Sequence, residues 1–175
     1  MSATVWYAAR AGGVLAYVLL STSVVLGMSL SRRGRLVWPK FAVENVHRFL
    51  TILTGSFLVV HVGGILLDSV VPFSLGQVLV PFTASYRPFA TGLGVVALEL
   101  LCAIGVTNAL RRRLPHRVWR RVHYASFGVW AAATLHGVLS GTDRAEPWFL
   151  ALYAGAVAAV GATASLRFGG ETSRA

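Results

Sequence analysis

Residues 46–67 read VHRFLTILTGSFLVVHVGGILL, and residues 122–139 read VHYASFGVWAAATLHGVL. Each is an apolar run of roughly the ~20 residues that a bilayer crossing needs, with a histidine near either end. Histidine is costly in hydrocarbon and by default marks a functional site there. His47 and His61 are 14 residues apart, and His123 and His136 are 13 apart. Three further apolar runs surround them, Val5–Leu30, Phe89–Leu110 and Trp148–Phe168. The pattern predicts an all-α membrane protein, a bundle of five transmembrane helices.

The composition agrees. Of 175 residues, 55% are hydrophobic and 13% charged, against about a quarter charged in an ordinary soluble domain. That excludes a water-soluble enzyme. The net charge of +10 would suit nucleic acid on a folded basic face, but here the charge sits between the apolar runs. Arg32, Arg33, Arg35 and Lys40 fill the first loop, and Arg111, Arg112, Arg113, Arg117, Arg120 and Arg121 the third. Arg167 and Arg174 lie in the tail. The second and fourth loops hold only Arg87 and Arg144 as basic residues. Basic loops stay cytoplasmic, so the N-terminus is expected outside and the C-terminus in the cytoplasm. The expected setting is the cell membrane, multi-pass, of the bacterial cytoplasmic type, with lipid as a partner and no nucleic acid. The connection Val70–Pro88, interrupted by Pro72 and Pro81, reads as an interfacial flap. Residues 1–175 read as one domain, without a GxGxxG fingerprint and so without a nicotinamide or flavin domain. The single Cys102 excludes CxxC redox pairs and cysteine-held clusters, and reads as an inert buried thiol.

In a five-span topology the second and fourth spans run the same way. His47 and His123 then share the inner leaflet, and His61 and His136 the outer. At ~1.5 Å per residue the two levels are roughly 20 Å apart. Two levels with two imidazoles each match six-coordinate haem b, whose porphyrin leaves two axial positions. Fourteen residues keep His47 and His61 about 40° apart around a helix, whereas thirteen leave His123 and His136 about 140° apart. The fourth span therefore needs either a local irregularity, for which Gly128 is a candidate, or splayed haem planes. Two rivals stand beside this reading. Core histidines bonded to Ser and Thr would suit a membrane anchor or assembly subunit. A metal-ion transporter is the other, although zinc wants three or four ligands at one level.

The segments His47-Arg48-Phe49-Leu50, His61, Trp119-Arg120-Arg121-Val122-His123-Tyr124 and His136-Gly137 resemble the ferric reductase-like transmembrane domain. That superfamily includes NADPH oxidases, ferric reductases and the membrane subunit of periplasmic methionine sulfoxide reductase. The resemblance covers all five runs. It implies two bis-histidine b-type haems, His47/His123 inner and His61/His136 outer, and electron transfer from the cytoplasmic side to an outer acceptor. Ferric iron or a periplasmic redox partner would be that acceptor. Arg10 looks like the oxidases' arginine beside the outer haem, where it would hold a propionate or polarise the acceptor; the other reading is an arginine snorkelling to the outer headgroups. Two departures matter. The oxidases carry a further span and often a further histidine where this chain has Ile65, which weakens an oxygen-reducing reading. Without a nicotinamide site, the donor is expected to be a separate flavoprotein, a bound flavin or a quinol.

Other residues carry lesser readings. Arg48, Arg120 and Arg121 suit inner propionates or, equally, lipid phosphates. Gly63, Gly64 and Gly137 flank the outer ligands, where small residues would admit a porphyrin face or pack helices. Ala9/Gly13 and Gly12/Ala16 read as helix packing, and His116 as solvated. Glu99, near the middle of the third span, is the one carboxylate there. It could take up a proton on haem reduction, bond a quinol or flavin edge, or simply pack.

Overall fold

The computed structural model describes residues 3–30, 38–69 and 71–172, with side chains for 4–30, 38–69 and 71–167. Arg32, Arg33, Arg35 and Arg174, used above for orientation, lie outside these. The described residues form seven helices and no strand. They are α1 (Ala3–Leu30), α2 (Lys40–Leu66), α3 (Leu75–Leu79), α4 (Pro88–Ala109), α5 (His116–Tyr124), α6 (Ser126–Ser140) and α7 (Pro147–Thr172). Four of them, α1, α2, α4 and α7, are long and apolar enough to cross a membrane.

The fourth expected span is divided. Residues 122–139 fall on α5 and α6, which meet at Ala125, between the two histidines. There the Ala125 amide donates to the Val122 carbonyl at 3.0 Å, a three-residue step tighter than an α-helical one. Such a step advances ~120° per residue rather than ~100°. Gly128, the expected site, lies instead within α6. Overwinding needs no left-handed backbone, so Ala125 suffices at φ −62°.

Polar side chains on the long helices bond inward. Thr22, Ser29, Thr51, Thr54, Ser56, Thr134, Thr163 and Ser165 each donate to the carbonyl four residues back, at 2.7–3.1 Å. A hydroxyl satisfied within its own helix suits hydrocarbon surroundings, where no water offers an alternative. Large apolar side chains point outward with them. Val59 and Leu67 are each 72% exposed and Ile52 67%, a surface compatible with lipid contact.

The chain divides into two compact units, residues 6–64 with 145–175 and residues 1–5 with 65–144. In the first, α1, α2 and α7 pack through small and aromatic residues. A Cβ on Gly64 would lie 2.6 Å from that of Ala9, and one on Gly12 would lie 3.0 Å from the Phe57 carbonyl. Tyr17 stacks on Tyr153 with ring centroids 4.3 Å apart, and Phe149 abuts Tyr153 at 4.5 Å. Gly64 thus packs helices together.

The second unit is built on α4 against α6, with Ala90, Val95, Ala97, Ile104, Val129 and Ala132 buried. The expected flap carries the short α3, closed by a capping box between Ser74 and Gln77. Pro88 opens α4, where its missing amide costs nothing. Arg87 precedes it in the left-handed region at φ 42°, and its Nη1 donates to the Leu139 carbonyl at 2.6 Å. That bond occupies one of the carbonyls left over at the end of α6. Phe82, also left-handed at φ 65°, rests its ring and backbone on Gly92, where a Cβ would lie 2.7 Å from the Phe82 nitrogen.

Gly92→Ala should therefore lower the thermal midpoint in a fixed detergent, by the equivalent of about 1–3 kcal/mol, and speed proteolysis within residues 71–87. Gly155→Ala, with nothing within 4 Å, should be neutral or slightly stabilising, since Ala is the better helix former.

Candidate functional site

Each unit carries two of the four histidines singled out above. In the first unit, both rings on α2 turn toward α1. His61 Nδ1 lies 2.8 Å from the Ala9 carbonyl. His47 Nδ1 lies 3.0 Å from both the carbonyl and the hydroxyl of Ser23. Thr51 extends this second contact, 3.4 Å from the Ser23 hydroxyl and donating to the His47 carbonyl at 2.9 Å. In the second unit, His136 Nδ1 lies 2.8 Å from the Ala90 carbonyl of α4. Ser140 closes over it, donating to the His136 carbonyl at 2.6 Å.

These contacts fix chemistry as well as position. A carbonyl oxygen only accepts, so the nitrogen facing it must carry the proton. A neutral ring at His47, His61 or His136 that makes this bond carries its proton on Nδ1 and its lone pair on Nε2. That is the form in which imidazole ligates a metal, with its other nitrogen donating to an outer partner.

His123 is held differently. Its ring stacks on Trp119, one turn earlier on α5, with centroids 5.3 Å apart and planes 17° from parallel. Trp119 is itself anchored, its Nε1 donating to Asn108 Oδ1 of α4 at 2.8 Å. His116 adjoins the other side of Trp119 at 5.5 Å and is exposed, as expected. One ligand candidate thus depends on an aromatic neighbour and the other three on main-chain oxygen.

The remaining candidates are scattered. Arg10 is half-buried, with its guanidinium 5.1 Å above the ring of Trp6 on the same helix. Arg48 and Arg121 are exposed, and Arg120 lies 5.9 Å over Tyr124. Glu99 is exposed on α4. Cys102, read above as a buried thiol, is exposed one turn further along, because α4 buries the opposite face against α6. Of the glycines beside the outer histidines, Gly63 has nothing within 4 Å, whereas Gly64 meets Ala9. Among the described residues no group of three or more His, Cys, Asp or Glu side chains could hold a metal ion by itself.

The chain matches no protein-family model, no curated protein and no solved structure.

Sequence reading did not foresee Ala9, Ser23 and Ala90 as acceptors, nor Trp119 and Asn108 as supports of His123. The Trp119–Asn108 bond gives a direct test. Asn108→Ala should cost about 0.5–1.5 kcal/mol in a thermal or denaturant unfolding measurement. In a Trp119→Phe background, which lacks the donor, the same substitution should cost close to nothing.

Proposed function

We propose that this chain is a haem-binding membrane subunit for transmembrane electron transfer, resembling the ferric reductase-like transmembrane domain. The observation that carries the reading is the shared state of His47, His61 and His136. Each neutral ring is fixed as an Nδ1–H tautomer by a neighbouring helix, with its ligating lone pair on Nε2. That is the form in which an imidazole can ligate iron while its other nitrogen donates to an outer partner. Bound haem iron would supply reversible one-electron transfer. By sequence position, His47 and His123 would hold an inner haem, and His61 and His136 an outer one.

This reading takes the α5–α6 segment as the fifth crossing, with the N-terminus outside and the C-terminus in the cytoplasm. A crossing that ligates through both ends tolerates a break at Ala125, provided its main-chain groups stay bonded within the protein. Arg48 and Arg121 are the candidates for inner propionates and Arg10 for an outer one. The donor is a separate flavoprotein, flavin or quinol, and the acceptor an outer-side redox partner or ferric iron. Two-ligand levels support haem over a metal-ion transport path. A packing role in an anchor subunit would leave the protein colourless.

Purified chain should contain two b-type haems with low-spin reduced-minus-oxidised bands. His61→Ala or His136→Ala should lower the haem content by about half, as should His47→Ala or His123→Ala, with different bands surviving in the two cases. A folded, colourless protein, or a wild type holding one haem per chain, would overturn the proposal.

A further inference from the structure

The contact between imidazole and carbonyl carries a steric condition. Within an α-helix the carbonyl of residue i already accepts from the amide of residue i+4. A side chain reaching for the second lone pair of that oxygen therefore arrives beside residue i+4 of the same helix. At all three histidines that residue is glycine. His61 bonds the carbonyl of Ala9 and lies against Gly13. His47 bonds that of Ser23 and lies against Gly27, and His136 bonds that of Ala90 and lies against Gly94.

The space is filled by the rings themselves. A Cβ on Gly13 would fall 2.8 Å from His61 Nδ1 and 2.9 Å from its Cε1. On Gly94 it would fall 2.7 Å from His136 Nδ1 and 2.8 Å from Cε1. On Gly27 the nearest atom, His47 Cε1, would be 3.3 Å away. The first two distances are too short for any carbon to occupy without displacing the ring, and the third is tight. Displacement is not cheap, because the ring is tethered to the carbonyl by the very nitrogen that would be pushed.

We infer that Gly13, Gly27 and Gly94 are positioning residues for axial ligands. Each one, with the carbonyl four residues before it, forms a seat that sets the plane and tautomer of one imidazole. The inference rests on the haem reading for its purpose, but the seats themselves are a property of the chain. They also order the ligands. Gly13 and Gly94 serve the two outer histidines and admit no methyl, while Gly27 serves an inner one and is more tolerant.

The test compares Gly13→Ala, Gly94→Ala and Gly27→Ala with Gly155→Ala and Gly55→Ala, where nothing lies within 4 Å. Two measurements are made on the full chain: histidine ring 15N shifts in haem-free protein, and titration with haem b followed by its low-spin spectrum. In the haem-free wild type, His47, His61 and His136 should read as Nδ1–H tautomers. Gly13→Ala should alter His61 alone and Gly94→Ala should alter His136 alone. Each should weaken outer-haem binding about 10–100-fold, the range for losing an outer partner of a ligand. Gly27→Ala should give a smaller change confined to the inner haem, and the two controls should match wild type.

Unchanged shifts and affinity in Gly13→Ala and Gly94→Ala would overturn the inference, as would equal losses in Gly155→Ala. Should the variants fail to fold, a wild-type His61 or His136 protonated on Nε2 would overturn it just as firmly. A wild type with the expected tautomers that binds no haem would leave the seats standing and remove the proposed function instead.

Discussion

An imidazole N–H placed in hydrocarbon has to find an acceptor, because leaving it unmade costs several kcal/mol. Serine and threonine solve that problem inside their own helix by bonding four residues back. The histidine rings at 47 and 61 on α2 and at 136 on α6 reach across to another helix instead. The acceptor they find is the second lone pair of a main-chain carbonyl, on α1 at Ala9 and Ser23 and on α4 at Ala90. Much of the remaining structure follows from that reach. Helices α1 and α2 come close enough for Gly12 and Gly64 to touch backbone or Cβ atoms across the contact, and α4 packs against α6.

The same device in both units implies that two helix pairs solve one chemical problem separately. Each pair consists of a helix bearing histidine and a helix bearing the acceptor and its glycine. The exception is His123, supported by stacking on Trp119 rather than by a seat of this kind. Thirteen and fourteen residues along α4 from Ala90 and Gly94, the positions run Ala103, Ile104, Thr107 and Asn108. No glycine stands there, and Asn108 instead fixes the indole that flanks the histidine. The four histidines are therefore held unevenly, His123 beside an aromatic plane and the other three against main-chain carbonyls.

Much of this was legible in the sequence. The apolar runs predicted α1, α2, α4 and α7 to within a turn or two at most ends, and the four histidines were visible at once. The 140° between His123 and His136 suggested an irregularity at Gly128, and the segment is instead divided at Ala125. Glycine is the usual sign of a bend, whereas a tightened turn at Ala125 needs no special residue. The acceptors were not legible, because every residue offers a carbonyl and its identity says nothing of its use. A signal was nevertheless present. Ala9 and Ser23 are 14 apart, and so are Gly13 and Gly27, matching the separation of His61 and His47 on the antiparallel neighbour. Read as helix packing, Gly13 was placed on the right face for an incomplete reason. The exposure of Cys102 and Glu99 depends on which side of α4 faces α6, which an all-round apolar helix does not declare.

The account rests on imidazole pairs as the axial ligands, and near-infrared magnetic circular dichroism of the oxidised protein reports that identity directly. The charge-transfer band should lie where bis-imidazole low-spin iron places it, with an intensity corresponding to both haems. A band belonging to histidine–methionine or histidine–amine ligation, a high-spin signature in the wild type, or no haem signal would contradict it.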